Sequence, residues 1–324
     1  MTARIIDGLA IAEQIKAATA AQVADLVRAG KPVRLVAVQV GANPSSKIYT
    51  NQQAAQCLAA GIEYSLLELP EATTQAQLHA TLADLNADKA VAGVILQMPL
   101  PAHIDARTAQ ARIAPGKDVE AVNPVNMGQL LLGGAMCRPC TPAAAMELLL
   151  SACPKLRGME AVIVGRSEIV GKPLALMLLE KAVSATVTVC HTGTADLAFH
   201  TRRADVLIAA TGLSQMNWLA YKRRAAAGEA LPPPDLSPLI KGDMIKPGAI
   251  VIDVAINRIP RALGPDAMPL KNAQGKNDMV TVGDVDAKAA METAAAITPV
   301  PGGVGPVTVA MLLRNTLACA KAAT

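Results

Sequence analysis

Hydrophobic residues along the first third of the chain alternate between two periods. Residues 8–29 carry apolar positions at helical spacing and stop at Gly30, whereas Arg34-Leu-Val-Ala-Val-Gln-Val40 is a short continuous apolar run of the kind a buried strand needs. The alternation repeats as helix 46–60, strand 62–69, helix 74–87, strand 91–97 and helix 104–113. Strands that alternate with helices in this way predict a parallel sheet covered by helices. The prolines in Arg138-Pro-Cys-Thr-Pro142 punctuate the series, and Thr141 followed by Pro142 reads as a helix start for 142–152. A second series follows: strand 160–165, helix 169–182, strand 185–190, helix 194–202, strand 205–210 and strand 249–253. A last helix spans about 304–320. Apolar periodicity fails over 214–240 and 259–278, and both stretches are expected to be surface insertions.

The predicted fold class is α/β with two domains, the second a Rossmann-like parallel sheet with helices on both faces. The expected boundaries are 1–141 plus 300–324 for the first domain and 142–299 for the second, consistent with a chain of 324 residues.

Composition narrows the function classes. Hydrophobic residues make up 52% of the chain but aromatic ones only 2%, so the core is aliphatic and surfaces for stacking single-stranded nucleic acid are scarce. The net charge is +4 and the cations are scattered; the one short run, Lys222-Arg223-Arg224, reads as a solvated helix end. Neither a secretory leader nor a membrane-spanning apolar run is evident, so a cytoplasmic protein is expected. Cys137 and Cys140 form a lone C-x-x-C with no second pair or histidine nearby, so no metal site is expected. The remaining cysteines (Cys57, Cys153, Cys190 and Cys319) read as small core residues.

The chemistry-bearing segment is Ala161-Val-Ile-Val-Gly165-Arg-Ser-Glu-Ile-Val-Gly171-Lys-Pro173, a strand, a glycine-bounded turn and a helix start. Ligands of a parallel sheet collect beyond the carboxyl ends of its strands, and free backbone N–H groups at a helix start favour phosphate. The glycine spacing is G-x5-G and not G-x-G-x-x-G, so the segment alone is also compatible with an ordinary strand–turn–helix. Arg166 in the turn and His191-Thr192 at the next strand end, where no acid stands, suit a 2′-phosphate and favour NADP over NAD.

Several segments, taken in order, resemble one family. They are Val40-Gly-Ala-Asn-Pro-Ser-Ser-Lys-Ile-Tyr49, Val94-Ile-Leu-Gln97-Met-Pro-Leu-Pro101, Pro115-Gly-Lys-Asp118-Val119, the turn 165–173, Val251-Ile-Asp-Val-Ala-Ile-Asn257-Arg258 and Thr298-Pro-Val-Pro-Gly-Gly-Val-Gly-Pro306. The chain closely resembles the methylenetetrahydrofolate dehydrogenase/cyclohydrolase (FolD) family over nearly its whole length. The resemblance implies NADP-dependent oxidation of 5,10-methylenetetrahydrofolate and then hydrolysis to 10-formyltetrahydrofolate, on tetrahydrofolate C1 derivatives, by a homodimer with a cleft between a folate domain and a cofactor domain. It implies catalytic roles for Tyr49, position 53 and Gln97. It places Asp118, Glu120, Pro301, Gly302 and Gly303 at the substrate, and Gly165, Arg166, Ser167, Ile169, Thr192, Thr211, Gly212 and Ile256 at the cofactor.

The departures carry an expectation of their own. The family has a lysine four residues after the tyrosine, on the same helix face, and here that position is Gln53. Glutamine cannot exchange a proton near neutral pH. Lys47 lies two residues before Tyr49, about 200° around the helix, and is a poor replacement. The family's second aspartate in K-D-V-D-G is Glu120 and its glycine is Ala121; a third change puts Ala255 where the family has glycine. The expectation is a dehydrogenase with weak or absent cyclohydrolase. The alternatives are a fully bifunctional enzyme, a dehydrogenase for a related C1-pterin carrier, and a binding paralogue without catalysis.

Overall fold

The structure is a computed structural model that describes residues 2–41, 44–229, 231–264 and 267–323, with residues 44–49 described in backbone only. In chain order the elements are β1 (Arg4–Ile5), α1 (Gly8–Arg28), β2 (Arg34–Val40), α2 (Pro44–Ala59), β3 (Glu63–Leu69), α3 (Gln75–Ala87), β4 (Gly93–Leu96), α4 (Ala106–Gln110), α5 (Pro124–Leu132) and α6 (Cys140–Ala152). They continue with β5 (Glu160–Val164), α7 (Gly171–Leu179), β6 (Thr186–Cys190), α8 (Leu197–Thr201), β7 (Val206–Ala209), α9 (Leu213–Ala226), β8 (Ile250–Asp253), β9 (Asn257–Pro260), β10 (Met279–Val282), α10 (Ala287–Thr293), β11 (Ala296–Ile297) and α11 (Val304–Ala322).

The chain divides into two compact units: residues 10–144 with 306–324, and residues 1–9 with 145–305. These limits differ from the expected ones at the N terminus. Residues 1–9 go with the later unit because β1 pairs in parallel with β11, Arg4 opposite Ala296 and Ile5 opposite Ile297. Pro301, Gly302 and Gly303 fall in that unit as well.

The unit of residues 10–144 holds a three-stranded parallel sheet in the order β3-β2-β4. All of Gly93–Leu96 and most of β2 are buried, which is why both read as unbroken apolar runs. Val36, Val38, Val94 and Leu96 pack with Leu78 and Leu82 of α3. Each fully buried leucine stabilises by roughly 1.5–3 kcal/mol. The side chain of Thr74 accepts from the Gln77 N–H and that of Gln77 reaches back, so α3 starts on a reciprocal cap.

The unit of residues 145–305 is built on a six-stranded sheet in the order β1-β11-β8-β7-β5-β6, every pairing parallel. From β5 the chain moves outward to β6 and returns to the opposite side of β5 with β7. That reversal places a topological switch point at the carboxyl end of β5, directly before Gly165. Val162, Val164, Leu207, Val251 and Ile297 form the core on one face of the sheet.

Some local expectations are corrected. The stretch 214–240, expected to be a surface insertion without apolar periodicity, begins inside the fourteen-residue helix α9, which buries only Ser214 and Trp218. Segment 259–278 lies largely between β9 and β10, which pair antiparallel as a hairpin. Helix α6 starts at Cys140, ahead of the expected Thr141 cap, because Ala143 N–H already bonds Pro139 O at 2.9 Å. The helix expected over 104–113 shrinks to α4, capped by the Asp105 side chain. No helix among the described residues is long and apolar enough to cross a membrane.

Candidate functional site

In the unit of residues 10–144, α2 and the end of β4 bring together two amides that lie 44 residues apart in sequence. Gln97 follows β4 and is anchored by its N–H to Val38 O at 2.8 Å. Its Nε2 donates to Oε1 of Gln53 at 2.7 Å, and the Tyr64 hydroxyl on β3 donates to the same oxygen at 3.4 Å. Two donors on Oε1 fix the amide's orientation. Nε2 of Gln53 is then left buried without a hydrogen-bond partner among the described residues. An unpaired buried donor costs on the order of 1–3 kcal/mol, which an acceptor on a bound ligand would relieve. The residue at this position is therefore a neutral, oriented donor. Tyr64 was not singled out by the sequence, because a half-buried strand tyrosine has no signal of its own. The side chains of Tyr49 and Lys47 lie outside the described residues.

The second cluster of this unit surrounds Asp118, which is 1% exposed and bridged to Val94 of β4. Oδ2 of Asp118 accepts from Asn123 N at 2.7 Å and from Asn126 Nδ2 at 2.9 Å, so the carboxylate braces its own loop. Burial raises the Asp118 pKa and those donors oppose the rise. Lys117 is turned away, with Nζ donating to Leu85 O and Asp88 O. Glu120 keeps some exposed surface, but its carboxyl is enclosed; burial first, and then the charge of Asp118, push its pKa up to about 7. Ala121 adopts φ of +54°, the left-handed region that favours glycine.

The cysteines are structural neighbours of that loop. Asn315 of α11 donates to Val119 O at 2.8 Å and to Arg138 O at 2.9 Å, and the Cys140 thiol donates to Val119 O at 3.4 Å. Cys137 and Cys319 stand 3.6 Å apart, sulfur to sulfur. No cluster of three or more metal-ligating side chains occurs among the described residues.

In the unit of residues 145–305, the turn after β5 is shaped by two glycines. Gly165 has φ of +129°, and a Cβ there would lie 2.4 Å from Ala210 O. A Cβ on Gly171 would lie 2.1 Å from Gly165 O. The helix start is thus pressed onto the turn, with Ser167 Oγ accepting from Val170 N at 3.1 Å and Gly171 N at 3.4 Å. Arg166, Ser167 and Ile169 are exposed on the turn, and Thr192 is exposed just beyond β6. The Thr194 hydroxyl accepts from His191 N at 2.9 Å and orders that second turn. Close backbone approach and free N–H groups at the helix start suit the phosphates of a dinucleotide. Thr211 and Gly212 follow β7, and Ile256, 58% exposed, follows β8.

The proline–glycine segment packs tightly within the same unit. A Cβ on Gly303 would meet Pro299 O at 2.6 Å, and one on Gly8 would meet Gly303 O at 2.0 Å. Gly302 has φ of +103°, and the Val300–Pro301 peptide is cis. Asp253 braces neighbouring loops, accepting from Ala255 N, Asp284 N and Val285 N at 2.9–3.2 Å.

Comparison with known proteins identifies the family. A family model for the tetrahydrofolate dehydrogenase/cyclohydrolase catalytic domain matches residues 6–120. The corresponding NAD(P)-binding domain matches residues 139–220 and 236–324. The chain is 44% identical over 322 residues, 99% of each sequence, to the Bifunctional protein FolD of Janthinobacterium sp. (strain Marseille). Among solved structures it is similar to a bifunctional FolD methylenetetrahydrofolate dehydrogenase/cyclohydrolase from Campylobacter jejuni, with 38% identity, 98% of each chain covered and a TM-score of 0.81. A Trypanosoma brucei FolD complexed with NADP cofactor and inhibitor is 35% identical, covers 99% of this chain and 98% of its own, and gives a TM-score of 0.81.

Proposed function

The chain belongs to the tetrahydrofolate dehydrogenase/cyclohydrolase family, and from that premise we propose that it oxidises 5,10-methylenetetrahydrofolate to 5,10-methenyltetrahydrofolate with NADP and hydrolyses the product to 10-formyltetrahydrofolate. The observation that carries the reading is the turn 165–171, joined in one chain to the oriented Gln53–Gln97 pair. Gly165, Arg166, Ser167, Ile169, Thr192, Thr211, Gly212 and Ile256 would hold NADP, which supplies the hydride acceptor. Arg166 and the absence of an acid beside Thr192 support NADP over NAD. The substrate would be held by the unit of residues 10–144, with Glu120 accepting from pterin N–H groups and Gln53 Nε2 donating to an acceptor near the one-carbon unit. Pro301, Gly302 and Gly303, in the unit of residues 145–305, are substrate contacts in the same reading. A homodimer is part of the same reading.

The two steps ask different things of these side chains. Oxidation is driven by the substrate's own nitrogen lone pair, so the protein's work is positioning. Hydrolysis requires a water to be activated and protons to move, and an amide at position 53 offers neither. The relatives' bifunctional naming supports both activities over a complete loss of hydrolysis. Gln53 favours a second reading confined to the hydrolytic step, in which hydrolysis persists but is slow. Purified protein supplied with 5,10-methylenetetrahydrofolate is expected to form NADPH, with kcat/KM for NADP exceeding that for NAD. Failure to reduce either nucleotide would overturn the proposal.

Folate binding is expected to depend on pH through Glu120. With its pKa raised to about 7, the carboxyl is ionised above that pH and protonated below it. Acceptance of pterin N–H groups then weakens by about tenfold per pH unit as the pH falls below 7. Titration of a non-reacting folate analogue from about pH 5.5 to about pH 8.5, spanning the transition near 7, reads this directly. The Glu120→Gln variant should bind with a flat profile. A flat profile in the unaltered protein contradicts the assignment.

A further inference from the structure

Asp284 is fully buried, with no exposed surface, in the turn between β10 and α10. Its Oδ2 accepts from Thr211 N at 2.7 Å, from the Thr211 hydroxyl at 2.6 Å and from Gly212 N at 3.1 Å. Its Oδ1 accepts from Asn257 Nδ2 at 3.0 Å. Asn257 in turn accepts from Gln215 N at 2.9 Å and donates to Gly283 O at 3.0 Å, while Gln215 Oε1 accepts from Arg258 N at 2.7 Å. One carboxylate therefore ties three segments together: the end of β7, the first turn of α9 and the start of β9.

The position of Asp284 is itself imposed by the backbone. Its N–H donates to Asp253 Oδ1 at 3.1 Å and its carbonyl accepts from Ile240 N at 3.0 Å. Gly283 beside it has no room for a side chain, since a Cβ there would fall 1.9 Å from Asp253 Oδ2. A buried carboxylate is tolerated only when its oxygens are filled by donors, and here four donors converge on it. An amide could not replace it without setting an NH2 group against the Thr211 and Gly212 N–H donors or against Asn257 Nδ2.

We propose that Asp284 is a positioning residue for the nicotinamide half of the cofactor site, holding Thr211 and Gly212 directly and Ile256 through Asn257. It does not touch the cofactor. The inference rests on the reading of Thr211, Gly212 and Ile256 as NADP contacts, and it separates the two halves of the dinucleotide. The turn at Gly165–Gly171 and Thr192, which would serve the phosphates and the adenosine half, makes none of these hydrogen bonds.

The test compares Asp284→Asn with the unaltered protein in two titrations followed by the fluorescence of Trp218 or by calorimetry. The ligands are NADP and adenosine 2′,5′-bisphosphate, which lacks the nicotinamide half. The Kd for NADP is expected to rise at least about tenfold, and the Kd for the bisphosphate to stay within about twofold. Equal weakening of both, or an unchanged NADP affinity in the folded variant, overturns the inference. If the unaltered protein binds neither ligand, the NADP reading itself fails, which is a different result. Should Asp284→Asn not fold, Asn257→Ala cuts the link from Asp284 to the first turn of α9 and the start of β9 without altering a residue read as a cofactor contact. It is expected to weaken NADP about threefold and the bisphosphate not at all, and no effect on NADP overturns the inference.

Discussion

Replacing Gln53 with lysine is expected to raise the initial rate of 5,10-methenyltetrahydrofolate hydrolysis by ~10²–10⁴-fold, the range that a positioned acid–base group contributes. The argument is local. Gln53 is 1% exposed, its Oε1 is fixed by Gln97 and Tyr64, and its Nε2 has no partner among the described residues. A lysine amine at this position would stand where that donor stands, and burial lowers a lysine pKa toward the range in which it can exchange protons. The Gln97 amide would turn its oxygen toward the new donor. The oxidation rate should change by less than about tenfold, since positioning and not proton transfer carries that step. Measurement of both initial rates on the same preparation checks this, and hydrolysis that is unchanged by the substitution would show that the shuttle lies elsewhere.

The second large effect is expected at Gly171. The Cβ of Gly171→Ala would sit 2.1 Å from Gly165 O and 2.7 Å from Gly165 C, both backbone atoms that no side-chain rotation can move aside. The start of α7 must therefore lift from the turn, taking Ser167 and its two N–H partners with it. NADP affinity should fall by about 100-fold or more, on the order of 3 kcal/mol. Gly116→Ala is the control, because a Cβ at Gly116 meets nothing within 4 Å. Calorimetric titration of NADP into both variants reads the contrast. An intact affinity in Gly171→Ala would remove the turn from the cofactor site.

The parts of the fold that were legible in the sequence are those whose burial leaves a simple trace. Strands β4, β5, β7 and β8 are buried along nearly their whole length, so they appear as apolar runs bounded by glycine or a polar residue. The two-residue strands β1 and β11 leave no such trace, and without them the N terminus was assigned to the other unit. Helix α9 was hidden because its only buried residues are Ser214 and Trp218 and its last turn carries Arg223 and Arg224. Helix α5 does carry a local signal, Asn123 as cap with Pro124 as first residue.

The candidate site divides in the same way. Gly165 and Gly171 could be read from spacing, since steric exclusion of a side chain selects glycine regardless of what lies around it. Gln53 and Gln97 could be picked out only by resemblance, and their mutual hydrogen bond depends on how α2 packs against β3 and β4. Asp284 was invisible. Its significance comes entirely from Thr211, Gly212 and Asn257, which are 27 to 73 residues away along the chain.

The most direct test of the account is to mix the protein with 5,10-methylenetetrahydrofolate and NADP and resolve the folate products in time, with the buffer rate of hydrolysis subtracted. The account predicts that NADPH and 5,10-methenyltetrahydrofolate rise together and that 10-formyltetrahydrofolate follows slowly. Absence of NADPH formation would contradict it, and 10-formyltetrahydrofolate appearing as fast as NADPH with no methenyl intermediate accumulating would overturn the slow-hydrolysis reading of Gln53.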